Sequence, residues 1–250
     1  MPNAYLQAIL NRENIDTSAT SPALVAARKL VPKIKAWGGQ YLTSVRPSGS
    51  YAKGTANKSG TDIDLFLSLV AHTPNTLKQI HDTLFTAMKQ ANFSPTRQNV
   101  SINVRVNGWD IDLVPGKLQN AWGTDHSLYR RKANTWTKTN VDIHINTVSA
   151  SGRTAPIRVL KLWRQQWGLD FPSFYLELTT IKALSGTSLT LPQQVDRVLA
   201  YLESRFEAAR VTDPANSANV ISDDLTIAEK RAIVAAAKRA RAGKWEQLVK

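Results

Sequence analysis

The sequence contains no cysteine, which excludes disulfides, thiolate zinc ribbons and a cysteine nucleophile. A chain of 250 residues buries a sizeable core without such staples, and the lack of cysteine suits a reducing cytoplasm. No apolar run approaches the roughly 18–20 residues of a membrane span. Residues 1–14 show neither a basic n-region nor a long apolar h-region, so no secretory signal is expected. The expected location is therefore cytoplasmic, with no membrane partner. Internal repeats and low-complexity tracts are absent as well. Acidic residues are scarce: 19 Asp and Glu against 32 Lys and Arg leave a formal net charge of +13. Such an excess attracts polyanions, meaning nucleoside triphosphates or nucleic acid. It also keeps a protein in solution, and charge by itself does not choose between the two. With 42% apolar and 20% charged residues, the balance is otherwise that of an ordinary globular chain.

Hydrophobic periodicity divides the chain in two. Residues 1–20 are weakly patterned and read as a loose or short-helical lead-in. Ser21-Pro22 reads as an N-cap and first helical position. Leu24, Val25, Leu30, Val31, Ile34 and Trp37 follow near helical spacing until Gly38-Gly39 stop the run. A strand is expected at Tyr41–Val45, a second at Thr61–Val70, and a helix over 74–90 with Leu77, Ile80, Leu84 and Met88 on one face. Val100, Ile102, Val104 and Val106 alternate with polar residues, as do Trp109, Ile111 and Leu113. Asn107-Gly108 between these runs is the signature of a two-residue type I′ hairpin. That turn sets Val106 opposite Trp109, Val104 opposite Ile111 and Ile102 opposite Leu113, all on one face. From about residue 152 the pattern turns helical, with helices expected near 154–168, 173–186, 190–210 and 225–243. The seven tryptophans read as packing residues. The expected fold is α+β: a mixed β-sheet with helices over 1–150, then a helical domain over 151–250.

Asp62 and Asp64 stand two apart on the second strand, so both side chains leave one face. Their Cα atoms are then ~6.6 Å apart, at ~3.3 Å rise per residue. Two carboxylates so close repel each other, and a divalent cation resolves the repulsion. A third carboxylate on a neighbouring strand would complete a two-ion site, and oxygen ligands alone favour Mg²⁺ or Mn²⁺. Asp112 is the candidate, because the hairpin register points it away from the apolar face toward a neutral Asn103. Asp110 points the same way but faces Arg105, an ordinary cross-strand partner. Upstream, Gly49-Ser50 precedes a Gly-containing connection. Glycine lets backbone N–H groups approach a phosphate, and the serine hydroxyl adds a donor. Gly49 and Gly54 mimic the spacing of a P-loop, but Thr55 stands where that motif requires lysine.

Gly49-Ser50, eleven residues, Asp62-Ile63-Asp64-Leu65, then Asp112-Leu113-Val114-Pro115 on a later strand together resemble the nucleotidyltransferase superfamily of DNA polymerase β. The form Gly49-Ser50-Tyr51-Ala52-Lys53-Gly54-Thr55 is similar to its branch of oligoadenylate synthases, cyclic GMP-AMP synthases and bacterial cGAS/DncV-like nucleotidyltransferases (CD-NTases). Arg158–Trp163 resembles the helix of that branch whose lysine touches the triphosphate. Pro172–Leu178 resembles the helix that follows, and the stretch from Asp213 to Val220 resembles the loop before the last helix. The resemblance runs from about residue 22 to 245. It implies a catalytic palm followed by a helical nucleotide-binding domain. Asp62, Asp64 and Asp112 are implied as ligands of two Mg²⁺ or Mn²⁺ ions, Asp112 also helping to deprotonate the attacking hydroxyl. Gly49 and Ser50 are implied at the γ-phosphate, Lys161 and Ser173 at the triphosphate, and Phe174 stacked on the base.

Read without the resemblance, Lys161 between Arg158 and Arg164 is part of a solvated basic face. Ser173 after Pro172 is a helix N-cap, and one of Phe174 and Tyr175 is a core aromatic. The implied function is NTP-dependent formation of phosphodiester bonds on a nucleotide hydroxyl, giving a cyclic or linear second messenger in antiphage defence. RNA 3′-end addition, tRNA modification, or a non-catalytic nucleic-acid-binding module on the same scaffold are the alternatives. The late basic helix bearing Lys230, Arg231, Lys238, Arg239, Arg241 and Lys244 reads as a solvated face or as an RNA contact.

Overall fold

A computed structural model describes residues 2–18, 20–60 and 62–250; Thr61, expected in the second strand, lies outside them. In chain order the elements are α1 (Pro2–Arg12), α2 (Pro22–Arg28), α3 (Val31–Gly38), β1 (Leu42–Pro47), α4 (Gly49–Lys53), β2 (Ile63–Leu69) and α5 (Leu77–Gln90). β3 (Thr96–Arg97), β4 (Ile102–Val106), β5 (Trp109–Leu118), β6 (His126–Arg130), β7 (Thr135–Thr139) and α6 (Val141–Ser149) follow. The remainder is α7 (Thr154–Gln166), α8 (Ser173–Ala183), α9 (Leu191–Arg205), β8 (Thr212–Asp213), β9 (Asn216–Val220), α10 (Ile227–Ala242) and α11 (Trp245–Leu248). The chain forms two compact units: residues 16–54 with 60–145, and residues 1–15 with 55–59 and 146–250.

The first unit is built on a seven-stranded mixed sheet ordered β1-β2-β5-β4-β3, with β6 beside β5 and β7 beside β6. β2 and β5 run parallel, and their neighbours are antiparallel. The β4–β5 hairpin has the register read from the sequence, Val106 opposite Trp109 through Ile102 opposite Leu113. Asn107 (φ 52°) and Gly108 (φ 84°) both take the positive φ that a type I′ turn demands. Ser21 caps α2, its hydroxyl accepting from the Leu24 N–H. The single helix expected from Leu24 to Trp37 is two, because Pro32 lacks an N–H and is accommodated only in the first turn of α3. Ile80, Leu84 and Met88 of α5 are buried as expected. The helix is opened by a capping box in which Thr76 and Gln79 bond each other's backbone N–H groups.

The helical unit surrounds Trp163, Tyr175, Phe171 and Phe206, all fully buried. Leu6, Ile9 and Leu10 of α1 join that core, so the weakly patterned lead-in is a packed helix; its apolar positions are too few to advertise a face. Two tryptophans depart from a packing role, Trp122 being 97% exposed and Trp136 55%. Among the described residues no helix is long and apolar enough to cross a membrane.

Candidate active site

Asp64 of β2 and Asp112 of β5 are Cα partners in the parallel pair. Residues so paired present their side chains on the same face of neighbouring strands, which lie about 4.8 Å apart. Register therefore brings together two carboxylates that are 48 positions apart in sequence. Asp62 sits one residue ahead of β2 and is exposed.

Gly49 closes the site from the other side. Its φ is +58°, and a Cβ added there would lie 1.6 Å from Oδ2 of Asp64. Glycine is thus required twice, by the left-handed backbone and by the close approach of the carboxylate. The Ser48 N–H donates to the Asp64 carbonyl at 2.8 Å, which ties the turn to the strand. Ser50 follows in α4, a short helix that the Gly-rich sequence did not announce. Tyr51 anchors that helix: its hydroxyl donates to the Asp16 carbonyl at 2.8 Å and lies 2.8 Å from the Ser21 hydroxyl.

The electrostatics of this cluster are unfavourable. Burial raises the pKa of Asp112, and the charges of Asp62 and Asp110 push it the same way. Hydrogen bonds from Asn103, at 2.9 Å to Oδ1, and from Ser101 oppose the rise. Asp62, exposed at the surface but backed by the sheet, has its pKa raised by partial loss of water and then by the charge of Asp110. Arg105 reaches Asp110 only at 4.0 Å and with 70% of its side chain exposed, so Asp110 keeps a charge that its neighbours feel. Sequence reasoning treated Asn103 merely as neutral; it is the hydrogen-bond donor that orients Asp112. The donor chemistry, oxygen only and negative, fits a hard divalent cation. Among the described residues no three His, Cys, Asp or Glu side chains already stand as a closed metal-binding group. Asp64 and Asp112 are aligned by strand register, and Asp62 stands just ahead of the same strand.

The other candidate residues lie in the helical unit. Lys161 of α7 is buried, and its ammonium donates to the Thr55 carbonyl and hydroxyl, each at 3.3 Å, and to Glu177 at 3.2 Å. Ser173 is the first residue of α8, whose N-cap is Pro172. Its hydroxyl accepts from Arg164 at 2.8 Å, and the same Arg164 nitrogen donates to the Phe171 carbonyl at 2.8 Å. Arg158 bonds Asn57 and the carbonyls of Leu10 and Glu13. The three cations of α7 are therefore bonded within the unit and do not form a solvated face. Burial lowers the pKa of both Arg158 and Arg164. Tyr175 is a core aromatic, whereas Phe174 is half-buried at the edge of that core.

No protein-family model matches the chain. A cyclic AMP-AMP-AMP synthase of Escherichia coli (strain MS 115-1) is 28% identical over 207 residues, 73% of this chain. The match spans 64% of that protein's length. A structure of E. coli MS115-1 CdnC with ATP superposes with a TM-score of 0.80 at 23% identity, covering 96% of this chain and 90% of that one. The CD-NTase CdnG of Bradyrhizobium diazoefficiens, in complex with GTP, superposes with a TM-score of 0.81 at 13% identity, covering 98% and 91%. Gly49-Ser50 at the start of α4, Asp62 just ahead of β2, Asp64 on it and the parallel strand bearing Asp112 thus stand in a chain whose fold is that of the CD-NTases, the nucleotidyltransferase branch its motifs resemble.

Proposed function

We propose that the chain is a CD-NTase: a nucleotidyltransferase that joins NTPs, ATP among them, into a cyclic or linear oligonucleotide second messenger of the kind used in antiphage defence. The observation that carries this reading is the side-by-side placement of Asp64 and Asp112 on parallel strands, with Gly49 against Asp64 and Ser50 next to it. ATP as substrate is supported by the similarity to a protein named for a product made of three AMP units.

In this reading Asp62, Asp64 and Asp112 hold two Mg²⁺ or Mn²⁺ ions. Bound there, such ions neutralise the triphosphate and lower the pKa of the acceptor hydroxyl. The protein's own residues supply position. Gly49 leaves its backbone open to a phosphate, and Ser50 donates its hydroxyl to the γ-phosphate. Asp112, kept oriented by Asn103, takes the acceptor's proton. Lys161 and Ser173 bind the triphosphate and Phe174 stacks on the base. Phosphoryl transfer asks for little covalent chemistry from a protein, so placement and charge neutralisation carry the rate.

The test is to incubate the protein with labelled NTPs and Mg²⁺ or Mn²⁺ without RNA, and to resolve the products by chromatography and mass spectrometry. Nuclease-resistant oligonucleotides with release of pyrophosphate are expected. Extension of an added RNA 3′ end, with nothing made from NTPs alone, would overturn the reading in favour of a tailing enzyme.

A further inference from the structure

The row of side chains next to the carboxylates of the sheet carries an arginine. In β1, Arg46 is the Cα partner of Phe66, and Phe66 is in turn the partner of Val114 across the parallel pair. Partners on neighbouring strands share a face, and so do residues two apart along one strand. Arg46 therefore leaves the sheet on the same face as Asp64 and Asp112, one row away. Asp64 is its diagonal neighbour on β2, and such neighbours lie about 7–8 Å apart, within reach of a long side chain. Arg46 also lies on the strand that runs into Gly49 and Ser50. All of these residues belong to the sheet unit.

The rest of that row is closed. Phe66, Leu128 and Val141 are buried together, with Val114 and Ile145 packed against them, so the start of α6 covers its apolar part. Arg46 stays accessible: its side chain is 37% exposed, and that of its ion-pair partner Asp142 is 47% exposed. The guanidinium donates to Oδ1 of Asp142 at 2.5 Å. An exposed pair of this kind is worth only about 0–1 kcal/mol, so it is a weak hold on either side chain. Asp142 does not depend on it. That carboxylate lies in the first turn of α6, where the helix dipole favours a negative charge, and at its exposure water can replace a departing guanidinium. Arg46 can thus leave for a stronger anion at small cost, and its planar fork suits two oxygens of one phosphate group.

We infer that Arg46 is a substrate-binding residue: it gives up Asp142 to take the phosphate groups of a nucleoside triphosphate held at Asp64 and Asp112. This rests on the nucleotidyltransferase reading above, in which Ser50 meets the γ-phosphate at the end of the same stretch of chain. Asp142 is then a competitor that keeps the guanidinium at the rim of the site until a nucleotide arrives. Two anions contend for one cation, so the two members of the pair have opposite effects on binding. A pair that merely ties α6 to the sheet would give both members the same effect.

The experiment titrates the full chain, in Mg²⁺, with the non-hydrolysable α,β-methylene analogue of ATP by calorimetry, and records melting temperatures. Arg46→Met should bind the analogue at least about tenfold more weakly, as expected for lost hydrogen bonds between charged groups. Asp142→Asn should bind it as tightly as wild type or up to about fivefold more tightly, because the competing pair is worth at most about 1 kcal/mol. Both variants should melt within about 4 °C of wild type. A smaller loss in Arg46→Met overturns the proposal. So does a weakening of more than about twofold in Asp142→Asn, or a fall in melting temperature beyond that range in both variants, either of which makes the pair a structural tie. If Arg46→Met does not fold, Arg46→Gln is judged by the same thresholds. Pyrophosphate release by the wild-type protein, measured alongside, separates the two readings. With release intact and binding by Arg46→Met unchanged, only the role of Arg46 falls; with no release from any NTP and no binding of the analogue, the nucleotidyltransferase reading falls and the role of Arg46 with it.

Discussion

Two regions of the molecule bury acidic side chains, and they treat them oppositely. In the sheet unit Asp112 is 9% exposed and feels the negative charges of Asp62 and Asp110, relieved by neutral Asn103 and Ser101. In the helical unit Glu177 is buried more deeply, yet it meets the ammonium of Lys161 and the hydroxyl of Thr55. Depth of burial therefore does not distinguish the two acids; the sign of their neighbours does. Like charges held together by strand register store unfavourable energy that a cation or a substrate complex relieves. In the helical unit the buried carboxylate is instead balanced by the cation beside it.

The contrast can be broken most directly at the sheet. Asp62→Ala combined with Asp64→Ala should cut product formation by roughly a thousandfold or more, since ion-assisted charge stabilisation is worth several kcal/mol. The melting temperature should hold or rise, because repulsion is removed. Undiminished pyrophosphate release from the folded double variant would end the catalytic assignment. In the helical unit the largest effect is on stability: Trp163→Ala, at a fully buried position, should cost about 3–5 kcal/mol in urea unfolding.

Gly49→Ala tests the close approach to Asp64. The left-handed backbone costs about 1–2 kcal/mol, and the new methyl must push the Asp64 carboxylate aside. Activity should fall far more than this stability change accounts for, and wild-type turnover would remove Gly49 from the site.

Asp112→Asn sharpens the electrostatic half of the comparison. A raised pKa means that the folded state holds this proton more tightly than the unfolded chain does. The ionised carboxylate therefore destabilises the fold at neutral pH, and the penalty fades as pH falls toward the ordinary value of 3.8. In EDTA at pH 7 the variant should gain about 0.5–2 kcal/mol, shrinking toward pH 4, while product formation is lost. A variant less stable than wild type at pH 7 would show that Asp112 carries no stored repulsion. The smallest effect belongs to the surface: Lys238→Glu, at an exposed position of α10, should change stability by less than about 0.5 kcal/mol and leave pyrophosphate release from NTPs unchanged.

Much of the sheet was legible in the sequence because its signals are local. Alternation and Asn107-Gly108 set the β4–β5 register, and the register set the direction of Asp112. The β6–β7 hairpin was not legible: His126–Arg130 and Thr135–Thr139 carry few aliphatic residues, so no alternation stands out. Nor was α4, since Gly49 and Gly54 read as loop. The cations of α7 misled for a related reason. Arg158, Lys161 and Arg164 at helical spacing look solvated until the carbonyls and the carboxylate that receive them are brought near by other parts of the chain.

The amino-acid sequence by itself determined the short-range matters: which residues alternate, where the turn falls, which strand faces carry carboxylates, and the overall positive charge. Those follow from backbone geometry and side-chain chemistry within a few residues. Only the tertiary structure decided that Asp64 meets Asp112, that Gly49 lies against a carboxylate, and that residues 55–59 are bonded to helices about a hundred positions later. Such contacts depend on loop closure and on long-range hydrogen bonding, whose partners no local pattern encodes.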